Sequence, residues 1–412
     1  MNELRKSLSL LRGTGLMLNI VIGAGLLVLP GLAVEAAGDH AFWAWLVCAL
    51  VAIPLLIVFI IMGRRFPNAG GIAHFSERAF GPCAYLITSF ILLGAVAFGL
   101  PSIALTGGYY LAEILPGHPA AYAAGFILAG ASAHLLSAEI AARISGAAAS
   151  VVLLTLFALA ATGFAAIDWA NIGGNFAPPA EIDLRMLFLP FMMIFFAFTG
   201  WEVAAGTAEE FRDPKRDFPR AMAISFALAC SVYFAMAFVA QNVAARGAPE
   251  AVFVHVAALV FGAAGGAAIA ALAAVVIAAN LMGAIWAVSR LVFSLSRENW
   301  LPFKLRANQK GSPLSSVALT AAVLLLALSF DALGLLNINK MLSLAGQNFL
   351  ILFGIASLAL LRLSRSFWER AIAAAAVVIV AALVVMEGAS VLYPVCLAGL
   401  GVGVWWGQRR QG

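Results

Sequence analysis

The chain has 412 residues, of which 64% are hydrophobic and only 10% are charged. A soluble domain carries about 25% charged residues, so this composition excludes a chain of soluble domains and indicates a polytopic membrane protein. The formal net charge of +5 does not indicate a nucleic-acid partner, because the basic residues lie in short segments between apolar runs, as membrane topology requires.

Apolar runs close to the roughly 20 residues that cross a bilayer recur along the whole chain. They predict an all-α membrane protein with 12 transmembrane helices, treated as a single domain over 1–412, without a soluble domain between the spans. The predicted spans are 13–37, 41–62, 83–113, 120–138, 145–167, 187–209, 221–243, 265–291, 314–330, 338–361, 371–387 and 390–407.

The basic residues fall mainly on one side of this arrangement. With the N-terminus inside, all but three of the 24 Lys and Arg residues lie in segments on the inner side. The three exceptions are Arg185, Arg246 and Lys340. Cytoplasmic segments of membrane proteins carry the excess of basic residues, so we expect both termini to be cytoplasmic.

The first predicted span carries Gly23 and Gly25 in the middle of the apolar run 18–30. Glycine has the weakest helix propensity after proline, so we expect this helix to open there. Opened backbone survives in a membrane only where protein, water or a ligand pairs with its polar groups. The alternative is that the two glycines let neighbouring helices approach closely.

The sixth predicted span is interrupted in a similar way, at Thr199 and Gly200, and carries the ionisable Glu202. An odd number of spans separates its start from that of the first, so the two helices cross the membrane in opposite directions. Interrupted helices in oppositely oriented halves are the best sequence indication of a transporter's substrate site. We therefore predict that the two breaks form one site.

Three further features of the sequence bear on that site. Glu202 either exchanges a proton near neutral pH, because burial favours the neutral form of a carboxyl, or accepts hydrogen bonds from the loosened backbone. Asn280, in the middle of the eighth predicted span, either contacts the substrate or joins two helices. Phe198 is the aromatic residue beside the second break that we expect to line an apolar pocket.

Motifs of enzymes are missing from the sequence, which has no Walker-type phosphate loop, nucleophile elbow or zinc-binding HExxH segment. We therefore expect no enzymatic activity, no cofactor, no metal site and no use of ATP within this chain. The cysteines Cys48, Cys83, Cys230 and Cys396 lie in or beside apolar spans without metal-ligand spacing, which favours a packing role.

Three stretches of the sequence resemble the amino acid–polyamine–organocation (APC) superfamily of transporters. Ile22-Gly23-Ala24-Gly25 resembles its unwound Gly-x-Gly segment, and 66–71 resembles its aromatic-Pro-x-Ala-Gly-Gly sequence. The third stretch, 198–221, is long and the most specific of the three. The resemblance covers the whole chain and is greatest to bacterial exporters of methionine and branched-chain amino acids.

This resemblance implies two inverted five-helix repeats, 13–167 and 187–361, followed by two extra helices within 371–407. It implies discontinuous first and sixth helices. It also implies that the amides of Gly23 and Gly25 receive the carboxylate of an amino acid, whereas carbonyls near 198–200 receive its ammonium group. An apolar substrate side chain suits a site with few charges.

The expected function is a secondary transporter in a bacterial inner membrane that exports methionine, leucine, isoleucine and valine by alternating access. Some members of the superfamily use a lysine of the fifth span in place of sodium, but 145–167 contains no lysine. No acidic residue marks a sodium site either, so we favour proton antiport, with Glu202 as the coupling group, over the alternative of sodium coupling. An importer or exchanger of amino acids or amines is the alternative, because the residues do not encode the direction of transport.

Overall fold

Helices account for the regular structure of this chain throughout the ranges that the computed structural model describes. These ranges are 8–67, 71–135, 154–170, 172–243, 249–301, 304–305, 314–387 and 391–410. Within them the only β-type pairing is an isolated bridge between Leu8 and Phe211. Parts of the predicted fourth and fifth spans, and 68–70 of the second family-like stretch, lie outside the described residues.

The described α-helices follow one another closely along the chain. They are α1 (Leu10–Val21), α2 (Leu29–Ala37), α3 (Ala41–Arg65), α4 (Gly71–Phe80), α5 (Pro82–Ala112), α6 (Pro119–Ser132), α7 (Leu154–Ala166), α8 (Leu184–Phe188), α9 (Phe191–Ala197), α10 (Trp201–Gly206), α11 (Asp217–Val243), α12 (Val252–Arg297), α13 (Leu314–Ala332), α14 (Ile338–Leu363), α15 (Phe367–Glu387) and α16 (Leu392–Arg409).

Eight helical segments of the described chain are long and apolar enough to cross a membrane, and α6 and α7 are shorter apolar helices. Helices of this length and hydropathy make the chain a multi-pass membrane protein. One of the eight segments, Leu29–Arg65, contains both α2 and α3. These two helices are separated at Gly38, whose φ of 55° lies in the left-handed region.

Helix α12 is longer than the eighth span predicted from the sequence. Residues 252–261, which we expected to be part of a loop, are helical, and the backbone leaves the helical region at Gly262 (φ 68°, ψ −172°). The predicted span was too short because 252–261 forms an apolar helix of its own, which joins the span at the non-helical Gly262. The 3-10 helix that precedes this segment, Pro249–Ala251, packs against α2, where Pro249 lies close to Gly31.

Helix α5 lies at the centre of the bundle and packs against α6, α12, α14 and α16. Helix α14 also packs against α9, where Gly346 lies so close to the Met192 carbonyl that a side chain would not fit. Small residues allow such close approach of helices in lipid, where van der Waals packing holds them together. This contact fixes α9, whose C-terminal end forms one half of the candidate site.

Candidate substrate site

The first break lies between α1 and α2. Helix α1 ends at Val21, Gly23 is extended (φ −97°, ψ 170°), and a short 3-10 helix, Ala24–Leu27, follows. The amide of Leu26 donates a hydrogen bond of 3.2 Å to the carbonyl of Gly23. The amides of 23–25 precede this bond, and amides at such helix starts have no intrahelical acceptor. The first break therefore presents N–H donors.

Gly23 occupies a place where a side chain would meet no neighbour. A Cβ atom at this position would have no heavy atom within 4 Å, and the φ of −97° is open to any residue. At Gly25 a Cβ would lie 3.4 Å from the Phe196 ring, which is still ordinary contact. Gly23 thus leaves space free beside the break, and its backbone conformation does not require glycine.

The second break lies between α9, which ends at Ala197, and α10, which begins at Trp201. Gly200 has a φ of 101°, and a Cβ there would lie 3.3 Å from the carbonyl oxygen of Ile20 in α1. This conformation strongly favours glycine. The Gly200 amide donates to both carboxylate oxygens of Glu202, at 3.1 and 2.9 Å. At the second break, the Gly200 amide is therefore already paired with the side chain of Glu202.

A buried tyrosine of α11 joins the two breaks. The hydroxyl of Tyr233 lies 3.2 Å from the carbonyl oxygen of Val21 and 2.8 Å from that of Ala197. Each carbonyl belongs to the last turn of a helix that stops at its break, where carbonyls lack an intrahelical donor. The single hydroxyl hydrogen is shared between them, so Tyr233 holds the ends of α1 and α9 together.

A cavity of about 190 Å³, here called the central cavity, lies between the breaks. It is lined by Ile20, Val21, Gly23, Gly25, Leu26, Leu29, Ala95, Val96, Gly99, Leu100, Ile103, Phe196, Ala197, Thr199, Gly200, Glu202, Tyr233, Asn280, Ala284 and Phe349. Among these described lining residues, Glu202 alone carries a charge. Pockets for drug-sized ligands measure about 300–1,000 Å³, so the central cavity suits a smaller molecule.

Most of the residues predicted for the site meet at the central cavity. Those that line it are Gly23, Gly25, Thr199, Gly200, Glu202 and Asn280. Ile22 is buried without being among the lining residues, and Ala24 begins the short helix that follows the first break. Glu202 is only 3% exposed, and its contact with Gly200 shows that it also has the structural role considered from the sequence.

Phe198 does not line the central cavity. Its ring is 1% exposed and packs against Trp45 and Tyr233, with ring centroids 6.1 and 5.1 Å apart. Phe196 lines the cavity instead, next to Phe349 at a centroid distance of 6.1 Å. Side chains two positions apart on a helix point in directions about 200° apart, so only one of the two phenylalanines can face the cavity.

Sequence reasoning did not identify Tyr233, Phe349 or the wall formed by α5. Ala95 and Gly99 lie one helical turn apart on α5 and both line the cavity. A Cβ at Gly99 would lie 2.8 Å from the Phe196 ring, so this glycine makes room for the ring. Small residues at a spacing of four were the one signal in the sequence that could have indicated this wall.

Known proteins similar to this chain are amino acid transporters. The protein-family model of amino acid permeases matches residues 8–402. The L-methionine/branched-chain amino acid exporter YjeH of Escherichia coli (strain K12) is 35% identical over 254 residues, which are 60% of this chain and 59% of that protein. The uncharacterized amino acid permease YecA of Bacillus subtilis (strain 168) is 28% identical over 97% of this chain and 95% of its own length.

Among solved structures, MhsT in complex with L-phenylalanine superposes with a TM-score of 0.64 at 16% identity, covering 93% of this chain and 99% of that chain. This likeness shows a shared fold. The permease model covers nearly the whole chain, which confirms the superfamily resemblance and the prediction of a transporter rather than an enzyme. The chain belongs to the amino acid permease family, within the APC superfamily.

Proposed function

We propose that this permease exports neutral apolar amino acids, namely methionine, leucine, isoleucine and valine, across a bacterial inner membrane. The observation that carries the proposal is the composition of the central cavity, where two helix breaks adjoin an otherwise apolar wall. A zwitterion needs hydrogen-bond donors, acceptors and space for its side chain, and this cavity supplies all three. The similarity to YjeH over 60% of the chain supports the same substrates.

The first break is the proposed carboxylate site. Its amides at 23–25 precede the first hydrogen bond of the short helix, and helix starts attract anions through free N–H groups and the helix dipole. The second break is the proposed ammonium site, because α9 ends there and the C-terminal end of a helix favours cations. Carbonyls near 198–200 would accept the ammonium hydrogens.

The apolar wall favours an uncharged substrate side chain. Phe196, Phe349, Ala95 and Gly99 all line the cavity, with the Phe196 ring packed on Gly99, and Asn280 supplies an amide. Burying one methylene group contributes about 0.8 kcal/mol, so aliphatic side chains gain affinity from such a wall. A lysine or arginine side chain would lose its hydration there and find Glu202 already bonded to Gly200.

Glu202 is the proposed proton carrier for antiport. It is buried at the central cavity and accepts its hydrogen bonds from the Gly200 amide. An ionised carboxylate is a stronger acceptor than a neutral carboxyl, so protonation weakens this bond at the second break. Proton uptake is thereby linked to the geometry of the site that holds the substrate, and coupled antiport requires such a link.

The proposal includes a topology of 12 spans with two inverted repeats, 13–167 and 187–361, two extra helices within 371–407 and both termini in the cytoplasm. Two observations support it. The breaks at Gly23 and Gly200 lie in helices that the span order places in opposite directions, and the basic residues concentrate on one side.

Transport by the purified full-length protein in proteoliposomes tests the proposal. We expect saturable counterflow of labelled L-methionine and L-leucine, little of L-lysine, and acceleration of net transport by an imposed pH gradient. Cells loaded with a methionine-containing dipeptide test direction, and overproduction should lower their internal methionine. Absence of saturable transport, or equal transport of lysine, would contradict the substrate class. Unchanged internal methionine would leave the importer or exchanger as the better account.

A further inference from the structure

A second cavity, of about 370 Å³, adjoins the central cavity and contains an arginine. We call it the Arg290 cavity. Its walls come from the start of α4, the N-terminal half of α5, α10 and the C-terminal part of α12. Among the described residues that line it, the charged ones are Arg290 and Glu202, and Tyr85 and Ser294 are polar. The remaining lining is apolar or glycine, so the cavity resembles the central one in chemistry.

Arg290 is held in place but retains unused donors. Its guanidinium lies 3.6 Å from the centroid of the Trp286 ring, and one of its nitrogens donates to the Trp286 carbonyl at 3.2 Å. A guanidinium has five N–H donors, of which this contact uses one. None of the ion pairs formed within the described ranges includes Arg290. The stacked guanidinium is therefore preorganised to bind a carboxylate in a two-pronged contact.

The Arg290 cavity is adjacent to the central cavity. Glu202 and Val96 line both cavities and thus form the partition between them. A third cavity, around Glu35 and Gln241, shares no lining residue with the central cavity. Along a path from the Arg290 cavity to the central cavity, the cationic Arg290 comes first, and the acidic Glu202 follows at the partition. This order suits a zwitterion that enters with its ammonium group toward Glu202 and its carboxylate toward Arg290.

We propose that the Arg290 cavity is an entry site for the zwitterionic amino acid, in which Arg290 binds the carboxylate before the substrate passes Val96 and Glu202. This inference rests on the proposed function and its orientation, on which the cavity faces the cytoplasm. An apolar cleft with one partly exposed cation concentrates anionic groups at its mouth. The entry site thus raises the occupancy of the central cavity from the cytoplasmic side and not from the other side.

Inside-out and right-side-out membrane vesicles containing the full-length protein separate the two sides. We expect Arg290→Gln to raise the half-saturating L-methionine concentration at the cytoplasmic face on the order of tenfold and to leave that at the outer face unchanged. Arg297→Gln is the matched control, because this substitution removes the same charge from the same helix. Arg297 is exposed and does not line the cavity. This variant should behave like the wild type at both faces.

Two further measurements keep the inference testable if Arg290→Gln is poorly folded. Arg290→Lys keeps the charge but loses the two-pronged contact, so we expect a smaller rise in the same half-saturating concentration. Added salt should raise this concentration for the wild type, Arg297→Gln and Arg290→Lys, which all keep the charge at position 290, more than for Arg290→Gln. Wild-type values for Arg290→Lys, or equal behaviour of Arg290→Gln and Arg297→Gln, would overturn the entry site. If the wild-type protein itself did not transport L-methionine, the proposed function would be overturned instead.

Discussion

The two helix breaks of this permease use glycine for different physical reasons. At the first break Gly23 has a backbone conformation open to any residue and borders empty space. At the second break Gly200 has a positive φ and packs against the last turn of α1. Gly23 and Gly25 of the first break line the cavity, whereas the amide of Gly200 is bonded to Glu202.

This difference gives the two breaks different roles within the candidate site. The second break is a fixed structural junction, held by Glu202 from its own helix and by Tyr233 from α11. At the first break the amides of 23–25 precede the first hydrogen bond of the short helix, and Gly23 and Gly25 line the cavity. Substitutions at the second break should therefore affect folding as well as transport, and a substitution at Gly23 should affect transport alone.

The largest effect is expected for Gly200→Ala. A side chain at a φ of 101° costs about 1–3 kcal/mol in backbone strain, and this one would also press against Ile20. We expect loss of transport and a clearly lower melting temperature of the purified protein. Gly334→Ala is the control, because Gly334 has a φ of 69° with no neighbour within 4 Å. Equal melting temperatures for the two variants would show that the junction with α1 contributes nothing.

Tyr233→Phe should have an intermediate effect. It removes the hydroxyl that joins the carbonyls of Val21 and Ala197 and leaves buried acceptors unsatisfied, which costs about 1–3 kcal/mol. We expect a lower unfolding free energy and slower counterflow. The control is Tyr122→Phe, whose hydroxyl bonds the Pro116 carbonyl at an exposed position and should matter little. If both variants behaved alike, the two breaks would not depend on their shared hydroxyl.

Glu202→Gln should have the smallest and most selective effect. The amide oxygen of glutamine can still accept from Gly200, so the second break keeps its shape, but the proton exchange is lost. We expect counterflow of L-leucine to persist while net transport no longer responds to an imposed pH gradient. Parallel measurements of both in the same proteoliposomes check this. A variant that kept the full response would exclude Glu202 as the proton carrier.

Parts of the site could be predicted because they stand out against an apolar background. Gly23 and Gly25, and the Thr199-Gly200 interruption, lie at matching places of two oppositely directed spans, and Glu202 is an ionisable residue within an apolar span. At Gly23 the structure shows both the predicted opening of the helix, because α1 ends at Val21, and open space at the Cβ position. A propensity scale cannot distinguish the two, because both favour a residue without a side chain.

Other parts depend on contacts between distant positions and were not predictable. The two carbonyls that Tyr233 joins lie 212 and 36 positions away in the sequence. Phe196 and Phe198 are equivalent in a list of apolar residues, and only the rotation of α9 decides which one lines the cavity. From the sequence, Arg290 is one of the many basic residues on the inner side, because its cavity forms only where α5, α10 and α12 meet.

The most direct test of the central claim is counterflow of labelled L-leucine in proteoliposomes by Gly23→Val and Gly15→Val. Both glycines belong to the first predicted span, and neither has a heavy atom within 4 Å of its Cβ position, but only Gly23 lines the central cavity. We predict wild-type counterflow for Gly15→Val and its loss for Gly23→Val, with both variants keeping the wild-type melting temperature. Equal, undiminished counterflow by both variants would contradict a substrate site at the first break.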